Sequence, residues 1–337
     1  MSTVRISDIV VPEIFAADYL KETMVKAKVF ASGLVANDPL MSQLASANKG
    51  GTFQVPFYKD LADDESNVSS DDPAVSTTSK IITTGLDQAI KHFRNQSWST
   101  MDLTASLASS DPMGRIKTQV SGYWARQYNK ATINTLMGIL ASNVANNGGD
   151  MVKCVATDAA GAPVAGELIS GSVILDAKQT MGDAADTLKV LMVHSVVHTA
   201  LQKANLIAYL PGDSANIGFG TYLGYSLLVD DTLPAVAGAH RVTYTSVLAA
   251  PGVLKFGNGS PAVPVEVYRQ PLAGNGGGQE TLITRNEFAL HPAGIKWTGA
   301  SVAAQSPTFA ELTAAANWQR VYAERKQIGL AFLQTNG

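Results

Sequence analysis

One cysteine, Cys154, stands in 337 residues. A lone thiol closes no internal disulfide and excludes a Cys-based zinc site. Charged residues make up 16% of the chain and aromatic residues 7%. The net charge of −3 gives no basic field to hold nucleic acid, and the aromatics do not interleave with basic clusters as base-stacking platforms do. No apolar run approaches the roughly 20 residues that cross a bilayer. The start, MSTVRISDIVVPEIF, lacks a signal peptide's apolar core. These absences predict a cytosol-made protein that is neither secreted nor embedded in a membrane. Phosphate-binding GxxxxGK[ST] and GxGxxG motifs are missing too. Gly218-Phe219-Gly220 with Gly224 has the wrong spacing and reads as a turn.

The residues that could carry chemistry do not form a recognisable site. His194 and His198 are four apart, but no glutamate follows His194 as in HExxH. His194-Ser195 could be a base and a nucleophile, yet no GxSxG elbow surrounds the serine. Ser195 reads as the cap of a helix instead. Asp183 and Asp186 could pair as an acid and a base; N-capping or solvation accounts for them more simply. Cys154 has only Lys153 near it in sequence, which does not make a reactive thiol. Trp98, Trp124, Trp297 and Trp318 read as packing anchors whose indole N–H groups need partners. We therefore expect no catalytic, cofactor-binding or metal-ligating residue, no cofactor, and no enzyme.

What is present is a long rod. From Asp111 to Ser142, Met113, Ile116, Val120, Trp124, Tyr128 and Ala131 recur at gaps of three and four. Asp111 is placed to cap this helix and Pro112 suits its first turn. At 1.5 Å per residue the rod is roughly 45 Å long. Ahead of it we expect an extended arm at 1–11 and a helix from Pro12 to about Phe30. Gly33 stops that helix and Asp38-Pro39 marks a turn; 40–50 are small and polar. An edge strand with Phe53, Val55 and Phe57 on one face, interrupted by Pro56, comes next. The acidic stretch Asp60, Asp63, Asp64, Glu65, Asp71 and Asp72 follows, with no Lys or Arg from Leu61 to Ser79. Ser79–Ser99 then returns as a strand. Two strands with a charged tip describe a long projecting hairpin.

Beyond the rod, Asn143–Ser172 reads as a loop or weak hairpin. Val173–Met181 reads as a helix, Leu188–Val193 as a buried strand, and 221–297 as a β-rich region with turns at Asp230–Pro234, Gly257–Gly259 and Gly274–Gly278. A break near Pro292 ends its longest strand. Thr308 and Glu311 have capping-box spacing, and Lys326–Leu333 alternates as a last strand. The class is α+β.

Three segments carry a family resemblance: LKVLMVHSVVHTAL at 188–201; Val265-Glu266 with Arg269, then His291-Pro292, Gly294 and Trp297; and SPTFAELTAAANWQRVYAERKQIGLAFLQTNG at the end. With the order arm, hairpin, long helix, α+β middle and return strand, the chain resembles the tailed-phage major capsid proteins of the Hong Kong 97 type. The resemblance implies an N-terminal arm and helix (1–50), an extended loop (51–98) lying over a neighbouring subunit, a peripheral domain (99–170) built on the spine helix at about 111–142, an axial domain (171–285), and a return to the peripheral domain (286–337). It implies hexamers and pentamers closing into an icosahedral shell around double-stranded DNA, held without sequence-specific contacts. The implied partners are other copies, a separate scaffolding protein, a portal and a decoration protein; the place is the virion, after synthesis in the host bacterial cytoplasm. Lys49, Lys59 and Lys80 lie near or in the loop, but position alone assigns no Lys–Asn crosslink. An encapsulin-like compartment shares the fold, and a Ser/His hydrolase using His194 and Ser195 is the rival of another class.

Overall fold

The computed structural model describes residues 28–47, 50–59, 61, 64–108, 112–204, 221–222 and 224–337. The arm at 1–11, the helix expected from Pro12 up to residue 27, Asp111 as a cap, Lys49, and the Gly218–Gly220 turn lie outside these residues.

After α1 (Lys28–Ala31), Gly33 at φ 75° turns the chain into β1 (Val35–Asn37). The small, polar stretch that follows forms α2 (Pro39–Ala47). Asp38 Oδ1 accepts the Leu40 amide at 2.9 Å, so Asp38-Pro39 is a cap and first turn, not a free-standing turn. α2 buries Met41 and Ala45 against Phe53, Ala89 and Ala289.

β2 (Thr52–Tyr58) and β3 (Thr84–Met101) form an antiparallel pair from Thr52↔Ile90 to Tyr58↔Thr84. Gly85 is forced by packing: a Cβ there would sit 2.4 Å from the Phe57 ring. α3 (Asp102–Ala108) leads to α4 (Pro112–Asn146), the long rod, 35 residues and about 52 Å. Its first half is amphipathic, burying Met113, Val120, Trp124 and Tyr128. From Ala131 to Asn143 almost every position is covered, as for a helix through the middle of a molecule. The helix outruns Ser142 because its polar residues there are paired inside. The Ser142 hydroxyl donates to the Trp318 carbonyl at 2.8 Å, and the Asn143 amide nitrogen donates to Asp150 at 2.6 Å. Gly148 and Gly149, both at positive φ, make the stop.

The expected loop then contains β4 (Val152–Cys154). It leads into α5 (Gly171–Gln179), β5 (Val190–Val193), α6 (Ser195–Lys203), β6 (Thr221–Tyr222), β7 (Tyr225–Val229), β8 (Ala235–Ala237) and β9 (Val242–Ala249). After β10 (Leu254–Asn258) and β11 (Val265–Gln270) comes β12 (Gln279–Pro292), then β13 (Ile295–Trp297), α7 (Phe309–Thr313), β14 (Trp318–Arg320) and β15 (Leu330–Thr335). The break at Pro292 and the Thr308–Glu311 capping box are present as expected. Gly257 is not in a turn. It lies inside β10, where a Cβ would meet the α2 backbone at Met41 within 2.4 Å.

The strands make two larger sheets. The first has the order β1-β10-β12-β3-β2, with β11 on β12 beside β10. The second has the order β4-β15-β9-β5-β7-β6, with β8 on β9. Pairing therefore divides the chain differently from the expected boundaries at 171, 285 and 286. β10, β11 and β12 belong with the hairpin strand β3, and β15 lands between β4 and β9 in the second sheet. The reason is long-range pairing: β12 runs against β3 from Gln279↔Met101 to Ala289↔Lys91. Leu136 and Ile139 of α4 sit in one core with Met192, Val247 and Phe332 from the second sheet and Phe256 and Leu290 from the first. A second core packs Ile174, Ala177 and Val197 of α5 and α6 on the outer face of the second sheet. Each of these fully buried large aliphatic side chains contributes about 1.5–3 kcal/mol.

Candidate assembly surface

The catalytic candidates are occupied with structural work. His194, not Ser195, caps α6: its Nδ1 accepts the Val196 amide at 3.2 Å. Asp231 does come close, but its carboxylate takes the Ser195 backbone amide at 3.1 Å and stands 3.9 Å from His194 Nδ1. A base whose Nδ1 holds a helix amide, beside a serine whose amide is the bonded group, is not a nucleophile–base pair. His198, half-buried, is held below the ordinary histidine range by burial. Asp183 and Asp186 are drawn apart to different lysines, Lys326 at 2.8 Å and Lys178 at 2.6 Å. These bonds hold both carboxyls below their usual range, so the two share no proton. Cys154 is exposed. Among the described residues no three His, Cys, Asp or Glu gather to hold a metal ion, and no helix is long and apolar enough to cross a membrane.

Ser195→Ala is expected to leave the unfolding free energy within about 0.5 kcal/mol of the parent's, whereas His194→Ala costs about 1 kcal/mol through loss of the cap. Thermal melts of the two variants check this assignment.

Of the four tryptophans, Trp124 donates to Thr284 Oγ1 at 3.2 Å and Trp318 to the Leu312 carbonyl at 2.7 Å. Trp297 packs edge-on against Trp318, with ring centres 4.8 Å apart. Trp98 is only half-buried, edge-on to Tyr123.

The uncommitted surface is the hairpin. Its root is firmly set. At Ile90–Lys91, β3 exchanges its partner β2 for β12. There Asp87 Oδ2 and His291 Nε2 meet at 2.8 Å, both side chains buried, and Lys91 pairs with Glu287 at 2.6 Å. The sequence gives no local sign of the Asp87–His291 contact, which joins residues 204 positions apart. Between them His92 is wholly buried and stacked on Phe288 at 4.7 Å. Burial, helped by the Arg94 charge, pushes its pKa down to about 3.

That shift sets a pH window. His92 stays neutral in the folded chain while the unfolded chain takes up a proton below about pH 6.5. Stability is thus full above pH 6.5 and falls as pH drops towards the folded value. Between pH 6.5 and 5 the loss is about 2 kcal/mol from this residue, with His198 adding in the same direction. The stability slope of His92→Phe, by urea titration at several pH values, is expected to be flatter; an unchanged slope counts against a neutral His92.

The tip differs from the root. Every described residue from Leu61 to Thr84 is exposed, and the described residues between β2 and β3 form no helix or strand. Val68 is 87% exposed, Ile81 83% and Leu61 69%. Lys80 meets Asp64 at 2.7 Å, whereas Glu65, Asp71 and Asp72 carry exposed negative charge. An open cleft of about 390 Å³ borders the root, between Phe93–Asn95 and Pro261–Val263. Its charges are already used: Arg285 pairs with Glu266 at 2.8 Å, and Arg94 donates to the Pro307 carbonyl beneath the Phe309 ring.

The end of the hairpin thus presents exposed apolar and acidic side chains together. Residues 41–329 match the profile of the major capsid protein 13-like family. The chain belongs to that family. It is 34% identical over 329 residues to the major capsid protein of Bacillus phage SPP1, covering 97% of this chain and 96% of the relative. The fold is similar to that of the Ralstonia phage GP4 capsid (TM-score 0.57, 10% identity, 90% of this chain and 87% of the other) and of the cyanophage Pam1 capsid (TM-score 0.52, 10% identity, 87% of each). This is the tailed-phage capsid fold. The major capsid protein role is structural: the chain is a subunit of a phage shell and part of the virion.

Proposed function

We propose that copies of this chain form hexamers and pentamers that close into an icosahedral head around packaged double-stranded DNA. Residues 51–98 are the extended loop that lies over the next subunit. α4 and the first sheet are the peripheral unit; the second sheet, with α5 and α6, is the axial unit. The exposed tip carries this reading. An ordered ladder ends in a loop whose described apolar side chains are exposed, and such a loop gains stability by lying on another copy. The net charge of −3 fits containing DNA without gripping it, since tight phosphate binding needs many Lys and Arg. The chain has no catalytic role, and subunits are made in the bacterial cytoplasm. A separate scaffolding protein, a portal and a decoration protein complete the head.

Electron microscopy of the purified chain tests the reading. Capsomers or closed particles of defined diameter are expected; a monodisperse monomer under all conditions overturns it. Raised salt is expected to loosen the particles, because contacts of the acidic tip are screened within a Debye length of about 8 Å at physiological ionic strength.

A further inference from the structure

The spine helix has no acidic residue. Between Asp111 and Asp150 the sequence contains Arg115, Lys117, Arg126 and Lys130 and no Asp or Glu. Arg115 and Arg126 are eleven positions apart, three helical turns, and Lys130 is one turn further. All three are exposed, as is Gln119 between them. They make one stripe about 22 Å long. Gly122 keeps it shallow at its middle, where the Arg126 guanidinium lies 3.6 Å from the position of an added Cβ. Among the described residues the ion pairs of this chain involve other groups. Among the described residues the stripe has no carboxylate partner, and Glu65, Asp71 and Asp72 of the hairpin tip have no paired cation.

Resting on the shell reading above, we infer that the tip at 64–72 of one copy docks on the Arg115–Arg126–Lys130 stripe of another. The charges are opposite, three against three, and both sets are unpaired among the described residues. Because they lie on different parts of the same surface, the contact is heterologous: each copy gives its tip to one neighbour and its stripe to the next. Head-to-tail contacts of this kind close into rings when the rotation between copies allows. DNA is the weaker occupant for the stripe. Three cations release few counterions, a salt slope of only about −2.7, and the net charge of the chain is −3.

Charge reversal in the full chain tests the pairing. Arg115→Glu, Arg126→Glu and Lys130→Glu together are expected to cut particle yield at least about tenfold in sedimentation. Glu65→Lys, Asp71→Lys and Asp72→Lys together are expected to do the same. Combining the two sets restores particles to within about threefold of the parent, since attraction replaces repulsion on both sides. Circular dichroism and melting report folding; if a reversed subunit does not fold, Arg115→Gln, Arg126→Gln and Lys130→Gln read the same contact as a lowered salt tolerance of particles. Parent-like yield from either reversed set overturns the inference, as does failure of the combination to recover. So does a stripe variant that assembles normally and loses only DNA retention, which would turn the stripe towards the DNA. If the parent chain itself forms no particles, the shell reading fails, a result distinct from these.

Discussion

Replacing Leu61–Ile82 with a Gly-Asn-Gly turn is expected to leave a folded subunit and abolish shells. Each half of that statement has its own physical ground. The described residues of the segment are exposed throughout. Asn67 bonds to Thr77 at 2.8 Å and Lys80 to Asp64 at 2.7 Å, both pairs inside the segment. Removing them uncovers no core, and shortening the loop lowers its closure entropy cost by about 1 kcal/mol. The β2–β3 ladder ends at Tyr58↔Thr84, followed by the Lys59 amide donating to Thr83 at 2.8 Å, so the shortened loop starts from an intact end. The subunit should therefore melt at or slightly above the parent's temperature. The surface available to a neighbour is what the deletion removes, and particles should be absent by electron microscopy. Shells of normal size from the shortened chain would deny the loop its role.

Gly138→Ala is expected to be the most damaging single-methyl change. In an open helix, alanine in place of glycine stabilises by about 1 kcal/mol. Here the added Cβ would lie 2.0 Å from the Leu312 carbonyl oxygen and 2.4 Å from Trp318 Nε1. Those two atoms are bonded to each other at 2.7 Å. The methyl thus drives α7 and β14 off α4 and opens the indole's hydrogen bond. Overpacking of this kind costs about 1–3 kcal/mol, and leaving the buried indole N–H unpaired adds about 1–3 kcal/mol. Clash and lost bond together exceed the propensity gain. A lower urea midpoint than the parent's is the expected result; a raised midpoint would mean that the contact relaxes freely.

Legibility in the sequence followed the range of the forces. The buried face of α4 could be read because its apolar period is local, as could the Thr308–Glu311 box and the Pro292 break. α2 was hidden by its small polar residues, although Asp38-Pro39 already carried a cap and an N1 proline. Ser142 and Asn143 looked like an end because polar residues usually face water; the Trp318 carbonyl and Asp150 that satisfy them come from elsewhere in the chain. His194 outranked Ser195 as a cap because a ring nitrogen can accept an amide as a hydroxyl can. Gly257 imitated a turn while making room for α2. Strand partnership was least visible: nothing near β12 indicates β3, and nothing near β15 indicates the gap between β4 and β9. The Arg115–Lys130 stripe was visible in principle, through the absence of acid over nearly forty residues.

β3 has a mechanical consequence. One strand of 18 residues serves the hairpin with its first part and the body with its second. A pull on the tip along this strand loads the whole Lys91–Met101 ladder with β12 in shear, its hydrogen bonds sharing the load, rather than peeling them open one at a time. The hairpin is thus anchored as a tie rod is, and tension between neighbouring subunits would be carried into the body through that ladder.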